Sequence, residues 1–213
     1  MINILCYGDS NTWGYDAKTR NRFPENIRWP GVLRKLMGQE FHVIEEGLCG
    51  RTTVWDDPIE GHKNGSKYLI PCLESHSPLD VVIIMLGTND LKKRFSLSSF
   101  DIAAGAGELV RITMNCVGRA QEKPPKVLLV SPVHIGETIN NSELNEMFGY
   151  EDSKQKSMKL AHYFKMIAKQ YNCEFLDAAE IVVPTPLDAV HIDENEHLKL
   201  GAAIAQKVTY LLS

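Results

Sequence analysis

Residues 81–90 read Val-Val-Ile-Ile-Met-Leu-Gly-Thr-Asn-Asp, and this stretch decides the fold. Its first six residues are apolar in succession rather than in alternation. That pattern is typical of a strand covered by helices on both faces of a parallel sheet. The Gly-Thr-Asn-Asp that follows indicates a turn at the end of the strand. We therefore predict a central strand over residues 81–86, with a loop at its carboxyl end.

Other short β-rich runs alternate with segments of helical period along the chain. The predicted strands are residues 2–7, 41–45, 127–131 and 174–176, and the predicted helices are 29–37, 67–75, 99–121, 152–171 and 194–212. This alternation predicts an α/β fold, in which right-handed crossovers place helices on both faces of an open parallel sheet. Ligands bind outside the carboxyl ends of the strands in such sheets. We expect residues 1–213 to form a single domain.

Composition and charge argue against several classes of protein. The chain is 44% hydrophobic and 23% charged, which excludes a collagen, a coiled coil and wholesale disorder. A formal charge of -4 gives no general attraction to nucleic acid. The five cysteines lie far apart without a CxxC pair, so they favour a reducing cytoplasm over a zinc site or a disulfide framework. The apolar run at the N-terminus is only a few residues long and lacks a basic flank, so we expect a first strand there rather than a signal peptide. We expect no membrane span, since no stretch approaches about 20 apolar residues.

Three predicted loops, residues 8–28, 46–66 and 132–150, are long for an α/β protein, which indicates a pocket or an interface. The third carries an unusually apolar set of side chains: Ile135, Ile139, Leu144, Met147 and Phe148. We expect this set to pack against a neighbouring subunit of a homo-oligomer. Such packing would cover one side of the expected ligand-binding crevice.

Polar motifs follow the predicted strands or precede the last helix. They are Gly-Asp-Ser-Asn-Thr at 8–12, Gly-Leu-Cys-Gly-Arg-Thr at 47–52, Gly-Thr-Asn-Asp at 87–90 and Asp-Ala-Val-His at 188–191. Singly, each has an ordinary structural explanation: a helix N-cap at Ser10, a glycine turn, an Asx turn or a loop histidine. Together they lie where one crevice can collect them.

Acyl transfer by a serine needs a base, an acid that orients the base, and donors for the oxyanion. Ser10 is the candidate nucleophile, His191 the candidate base, and Asp188 the residue that would orient it. The backbone N–H groups of Ser10 and Gly50 and the side-chain amide of Asn89 are the candidate oxyanion hole. Glycine at position 50 would let the backbone approach the substrate closely.

The segments GDSNT, GLCGRTT, GTND and DAVH, in this order and spacing, resemble the four blocks of the SGNH (GDSL-type) hydrolase family over nearly the whole chain. The flanking RWPGVL, DDP and VLLVSP are most similar to its bacterial arylesterase and acyltransferase branch. The resemblance implies a flavodoxin-like three-layer α/β/α sandwich with a five-stranded parallel sheet. It also implies a homo-oligomeric serine esterase that uses the triad Ser10, Asp188 and His191 and needs no cofactor or metal.

The substrate is an open question at this point. Aryl or alkyl esters with a short acyl group are expected, with water or an alcohol as acceptor. A carbohydrate O-acetyl esterase, a thioesterase and a lysophospholipase with the same triad are alternatives. We assign Trp13, Tyr15 and Cys49 to the substrate pocket. Close relatives often carry Ser or Ala at the positions of Cys49 or Gly50.

Two rival interpretations do not use a nucleophilic serine. A metal-dependent hydrolase would draw on ligand-type residues: Asp9, Asp188, His191, Asp193 and His197. The sequence has no HExxH motif, however, and His197 falls in a predicted helix, where we expect a solvated surface histidine. A flavodoxin-like flavin or phosphate binder would use Ser10, Asn11 and Thr12 as a phosphate cradle, but it gives no reason for Asp188 and His191. His134 follows a predicted strand and borders the expected crevice.

Overall fold

The computed structural model describes residues 1–118 and 121–213. One sheet is built from five strands, all parallel to their neighbours. In chain order they are β1 (Ile2–Gly8), β2 (Phe41–Gly47), β3 (Val81–Met85), β4 (Lys126–Ser131) and β5 (Glu174–Asp177). The order across the sheet is β2-β1-β3-β4-β5, so β3 is central as predicted.

Helices cover both faces of the sheet. They are α1 (Ser10–Trp13), α2 (Trp29–Met37), α3 (Gly65–His76), α4 (Ser99–Asn115), α5 (Asn145–Phe148), α6 (Tyr150–Tyr171) and α7 (Glu194–Leu212). One core cluster joins β3 to α2 and α7, and the other joins it to α3, α4 and α6. The three-layer α/β/α sandwich is therefore confirmed. In the described part of the chain, no helix is long and apolar enough to cross a bilayer.

The apolar run in β3 follows from this layering. Val82 and Ile84 pack in the core under α3, α4 and α6, whereas Val81, Ile83 and Met85 pack in the core under α2 and α7. All five side chains are buried. Because successive side chains point to opposite faces, a strand buried on both faces must be apolar at every position.

The carboxyl ends of the first three strands lie at one edge of the sheet. Gly8, the last residue of β1, pairs with Gly47 of β2 and with Met85 of β3. A side chain at Gly8 would overlap Thr12, since its Cβ would lie 2.0 Å from the Thr12 Oγ1. The loops after β1, β2 and β3 consequently begin side by side, which is the arrangement that the site requires.

Helix α4 begins with a capping box and ends earlier than predicted. The Ser98 hydroxyl accepts from the Asp101 N–H, and the Asp101 carboxylate accepts from the Ser98 N–H. The helix ends at Asn115 rather than at residue 121, because Val117 and Gly118 have low helix propensity. Residues 119 and 120 of the predicted helix lie outside the described residues.

The segment 132–150 is not an exposed apolar loop. It contains a 3-10 helix, Glu137–Asn141, and the short helix α5. Ile135, Ile139 and Phe148 are buried in the chain's own core, and Leu144 and Met147 are partly buried against it. The expectation that these side chains need a neighbouring subunit is therefore wrong. Their own chain removes them from water, since they pack beside α6.

Candidate active site

Ser10, His191 and Asp188 form a continuous chain of hydrogen bonds. Ser10 is the first residue of α1, and its Oγ lies 2.8 Å from the His191 Nε2. The His191 Nδ1 lies 2.5 Å from the Asp188 Oδ2. The N-cap of α1 is Asp9 rather than Ser10, so the serine hydroxyl is not used for capping. The structure thus brings together all three predicted triad residues.

The turn between Asp188 and His191 aims both side chains. The Asp188 Oδ1 accepts hydrogen bonds from the N–H groups of Val190 (3.0 Å) and His191 (2.9 Å). Ala189 between them adopts a φ of +64°, a left-handed conformation that is strained for a residue with a Cβ. Burial would raise the pKa of Asp188, but hydrogen bonds from the His191 ring and backbone outweigh it, and the pKa lies below its ordinary value.

Asn11 connects the serine loop to the histidine loop, a role that the sequence analysis missed. Its Nδ2 donates to the Val190 carbonyl (3.2 Å), and its Oδ1 accepts from the Ile192 N–H (3.1 Å). The two bonds hold the backbone on either side of His191. Because the Asn11 amide and the Ser10 hydroxyl are both used within the protein, these side chains do not form the phosphate cradle of the flavin-binding interpretation. The position of Asn11 directly after the candidate nucleophile was the available signal.

The proposed oxyanion donors come from the loops after β1, β2 and β3. Ser10, Gly50 and Asn89 all line one cavity. Gly50 has a φ of +82°, which favours glycine, and any Cβ there would lie 2.5 Å from the Glu60 Oε2. The Asn89 Nδ2 donates to the Arg51 carbonyl at 3.2 Å. This bond places the amide beside the turn at Gly50 and leaves its second N–H for another acceptor.

A buried arginine supports that turn. The Arg51 guanidinium donates to the carbonyl of Gly8 (2.9 Å) and to that of Glu46, which joins the ends of β1 and β2. It also stacks 4.1 Å from the centre of the Tyr7 ring. Arg51 is buried, so these contacts replace the water that its charge would otherwise bind.

Two further carboxyl groups lie buried at this edge of the sheet. Asp90 accepts hydrogen bonds from the Thr53 N–H (3.0 Å) and the Thr53 hydroxyl (2.5 Å), and Asp9 accepts from the Asn11 N–H (3.0 Å). Burial raises the pKa of each carboxyl group to about 6, although the hydrogen bonds act in the opposite direction. Neither carboxyl group contacts a lysine or arginine side chain in these hydrogen bonds.

The cavity in front of Ser10 has a volume of about 180 Å³. Tyr15 and Cys49 line it as predicted, and the Tyr15 ring centre lies 4.4 Å from that of His191. The apolar wall of the cavity comes from the segment 132–150, and its charged wall comes from Glu60 and Lys92. Trp13 is not among the residues that line the cavity, and its ring lies under the Arg22 guanidinium, 5.1 Å away.

A second, more polar cavity of about 400 Å³ adjoins the first on the His191 side. Tyr15 and His191 line both cavities. The outer wall of the second is formed by Arg20, Asn141, Ser142 and Glu143. The Arg20 Nη2 donates to both carboxylate oxygens of Glu143, at 2.8 and 2.9 Å, and this ion pair joins the segments 8–28 and 132–150.

The residues of the metal interpretation do not assemble into a metal site. Asp193 caps α7 by accepting from the Glu196 N–H, at 3.1 Å. Within the described ranges, the one group of metal-ligand residues close enough to hold an ion is Glu46, Cys72 and His76, which shares no member with the predicted set. His134 is half-buried and is not among the residues that line either cavity.

The expectation of a solvated surface histidine at position 197 is wrong. His197 is 0% exposed, and its Nδ1 accepts from the Trp29 N–H at 3.3 Å. Burial lowers its pKa to about 3, so the ring stays neutral at ordinary pH. His197 lies on the face of α7 that packs against α2, three and seven residues before Leu200 and Ile204. That spacing was a sequence signal for burial.

The comparison with protein families finds a match to the model described as the GDSL-like Lipase/Acylhydrolase family, over residues 6–206. The comparison with curated proteins finds no match.

Among solved structures, the chain is similar to a carbohydrate acetylesterase from Sinorhizobium meliloti (39% identity, TM-score 0.93). It is also similar to the native aryl esterase of M. smegmatis (39% identity, TM-score 0.93) and to a putative arylesterase from Agrobacterium tumefaciens (33% identity, TM-score 0.90). Each comparison covers 99% of this chain and 100% of the other. The chain therefore belongs to the GDSL-like lipase/acylhydrolase family, and it is a carboxylic ester hydrolase.

Proposed function

We propose that this esterase cleaves esters of short carboxylic acids through an acyl-enzyme on Ser10. The observation that carries the proposal is the chain of hydrogen bonds from the Ser10 Oγ through His191 to Asp188, which opens onto a small cavity. Gly50 and Asn89 line the same cavity. Nucleophile, base, orienting acid and oxyanion donors are thus within reach of one ester group.

The chemistry follows from these positions. The Ser10 Oγ attacks the ester carbonyl while its proton passes to the His191 Nε2, and Asp188 stabilises the imidazolium. The carbonyl oxygen becomes an oxyanion, which accepts from the N–H groups of Ser10 and Gly50 and from the Asn89 amide. The imidazolium then gives its proton to the leaving alcohol. Water or a second alcohol repeats the steps in reverse and releases the acyl group.

The acyl group belongs on the side of the oxyanion donors, and the dimensions of that side favour a short chain. The cavity holds only about 180 Å³, and the ion pair of Lys92 and Glu60 lies in its wall. Extending an alkyl chain against paired charges would desolvate them without compensation. We expect kcat/KM to fall from p-nitrophenyl acetate to the butyrate and again to the octanoate. A preference for the octanoate would contradict the proposal.

A carbohydrate ester is the second candidate, and the polar cavity beside His191 favours it. The leaving alcohol must lie on the side of the base that protonates it, and that side presents Arg20, Asn141, Ser142 and Glu143. Amide, hydroxyl and charged groups of this kind bind sugar hydroxyls. One of the similar structures is of a carbohydrate acetylesterase, which agrees with this candidate.

Variants at the mouth of the polar cavity separate the two candidates. Glu143→Gln and Asn141→Ala should lower kcat/KM for an acetylated monosaccharide several-fold while hardly changing it for p-nitrophenyl acetate. Both side chains are exposed, so they contribute little to stability. Equal effects on both esters, or none on the sugar ester, would favour simple aryl or alkyl esters as substrates.

Transfer of the acyl group to alcohols is part of the proposal. Leu144, Met147 and Phe148 wall the cavity from within the chain, and a partly apolar approach disfavours water as the acceptor. Met147→Glu should lower the ratio of transfer to hydrolysis, with Met147→Leu as the matched control. An unchanged ratio in the glutamate variant would exclude this wall as the cause of transfer.

A homo-oligomer and a cytoplasmic location stay predictions. The apolar side chains of 132–150 no longer support the oligomer, because they are buried within the chain. Light scattering on the purified protein tests it directly, and a monomer would refute it. The five free cysteines, of which Cys6 and Cys72 are buried, support a reducing compartment.

A further inference from the structure

Lys92 is a buried cation in the wall of the cavity that holds Ser10. It is 3% exposed, and its Nζ lies 2.5 Å from the Glu60 Oε1 and 3.9 Å from the Asp57 Oδ2. A buried ammonium group destabilises a protein unless it is paired. Lys92 therefore depends on its carboxylate partners to remain charged in this position.

The principal partner, Glu60, lies against the proposed oxyanion hole. The distance from its Oε2 to the ideal Cβ position of Gly50 is 2.5 Å, so the carboxylate lies directly beside this glycine. An unpaired negative charge there would oppose the negative charge that develops on the ester oxygen. The Lys92 ammonium offsets that charge.

Lys92 and Glu60 belong to a group of two cations and two anions. Arg94 contacts the Asp57 Oδ1 at 3.1 Å and the Glu60 Oε1 at 3.3 Å. Asp57 also accepts from the N–H groups of Ile59 (2.9 Å) and Glu60 (3.0 Å), which folds the segment around it. The formal charges of the four ionised side chains cancel.

This group of charges joins the two segments that carry the oxyanion donors. Asp57 and Glu60 follow Gly50 in the connection after β2, and Lys92 and Arg94 follow Asn89 in the connection after β3. Lys92, unlike Arg94, also lines the cavity itself. Loss of its charge would leave Glu60 beside the substrate with only the more exposed arginine to balance it.

We propose that Lys92 is a positioning residue, which neutralises Glu60 and holds it against Gly50 so that the oxyanion hole carries no excess negative charge. The inference rests on the proposed function, since it takes Gly50 and Asn89 as the oxyanion donors. It identifies Glu60 as the source of the harmful charge. The consequence is specific: the damage from removing Lys92 should be repaired by removing the charge of Glu60.

The test compares Lys92→Met, Glu60→Gln and the double variant on p-nitrophenyl acetate. Lys92→Met should lower kcat at least tenfold with KM changed less than about threefold, because the oxyanion exists mainly in the transition state. The double variant should recover most of the lost kcat, so that kcat rises from Lys92→Met to the double variant. Arg94→Gln, which removes the outer cation, is the matched control and should have the smaller effect.

An unchanged kcat in Lys92→Met, or a double variant no faster than Lys92→Met, would overturn the inference. If Lys92→Met does not fold, the double variant decides alone, since it leaves neither charge unpaired. Its kcat should then stay within tenfold of the wild type, and a greater loss in a folded double variant would overturn the inference. Asn89→Ala in parallel tests the proposed function: normal kcat in that variant would remove the oxyanion hole itself.

Discussion

Ser10 lies between two regions that treat negative charge in opposite ways. On the histidine side, Asp188 accepts hydrogen bonds from His191 and from two backbone N–H groups, and its pKa is lowered. On the oxyanion side, burial raises the pKa of Asp90 to about 6, and Lys92 pairs with Glu60. The negative charge of a side chain is thus stabilised where an imidazolium would form. Where an oxyanion would form, such a charge is disfavoured by burial or neutralised by a cation.

Removing the nucleophile should disable both regions together. We expect Ser10→Ala to lower kcat/KM more than a thousandfold, because no other hydroxyl takes its place in the hydrogen-bond chain to His191. The fold should survive, since Asp9 caps α1 and the Ser10 hydroxyl has no capping role. Near-normal turnover of p-nitrophenyl acetate by the folded variant would exclude Ser10 as the nucleophile.

On the histidine side, substitutions of His191 and of Asp188 should differ in how much activity they remove. His191→Ala should be nearly as damaging as Ser10→Ala, whereas Asp188→Asn should retain roughly tenfold to a hundredfold more activity. The reason is that His191 carries the proton and Asp188 orients and stabilises the ring. Equal and total loss in a folded Asp188→Asn protein would indicate a direct chemical role for the carboxylate.

On the oxyanion side, Asn89→Ala should lower kcat on the order of a hundredfold with little change in KM. Its amide would bind charge that is present mainly in the transition state. Asn115→Ala, at the exposed end of α4, is a matched amide deletion that should leave both constants near the wild-type values. A raised KM with normal kcat in Asn89→Ala would make the residue a ground-state contact.

The buried carboxyl groups of Asp9 and Asp188 should also differ in how they make the stability of the folded protein depend on pH. The pKa of Asp9 is about 6 in the folded protein, above its ordinary value of 3.8, so the folded state binds more protons between these values and is destabilised as the pH rises through them. The lowered pKa of Asp188 acts in the reverse sense: its stabilising contribution is lost as the pH falls.

Asp9→Asn should therefore gain stability relative to the wild type by about 2 kcal/mol between about pH 4.5 and about pH 7.5. Asparagine is also a good N-cap, so α1 should persist. Urea denaturation at the two pH values measures the difference. A difference that does not change with pH would show that burial does not raise the pKa of Asp9.

Sequence patterns predicted the features of this molecule that depend on residues close together in the sequence. The apolar run 81–86 predicted the central strand, and Asp188 and His191 were found because they lie three positions apart in one loop. The motifs also pointed to Gly50 as a glycine with a role in the site, and its φ of +82°, a conformation that favours glycine, agrees.

Contacts between distant segments were beyond those patterns. The spacing of His197 indicates a buried face of α7, but it does not indicate that α2 covers that face. Similarly, no neighbouring residue in the sequence indicates that Lys92 pairs with Glu60. Trp13 follows the serine motif as Tyr15 does, but only Tyr15 reaches the cavity. Such outcomes depend on packing against another element, which periodicity on one segment does not specify.

The most direct test of the account is covalent labelling of the nucleophile with a p-nitrophenyl phosphonate ester. Attack by the Ser10 Oγ would expel p-nitrophenol and leave a phosphonyl group on the protein, with His191 and the oxyanion donors both in use. Intact-mass and peptide measurements should find one label, located on Ser10 in the wild type and missing from Ser10→Ala. A label on another residue, or equal labelling of the Ser10→Ala variant, would contradict the account.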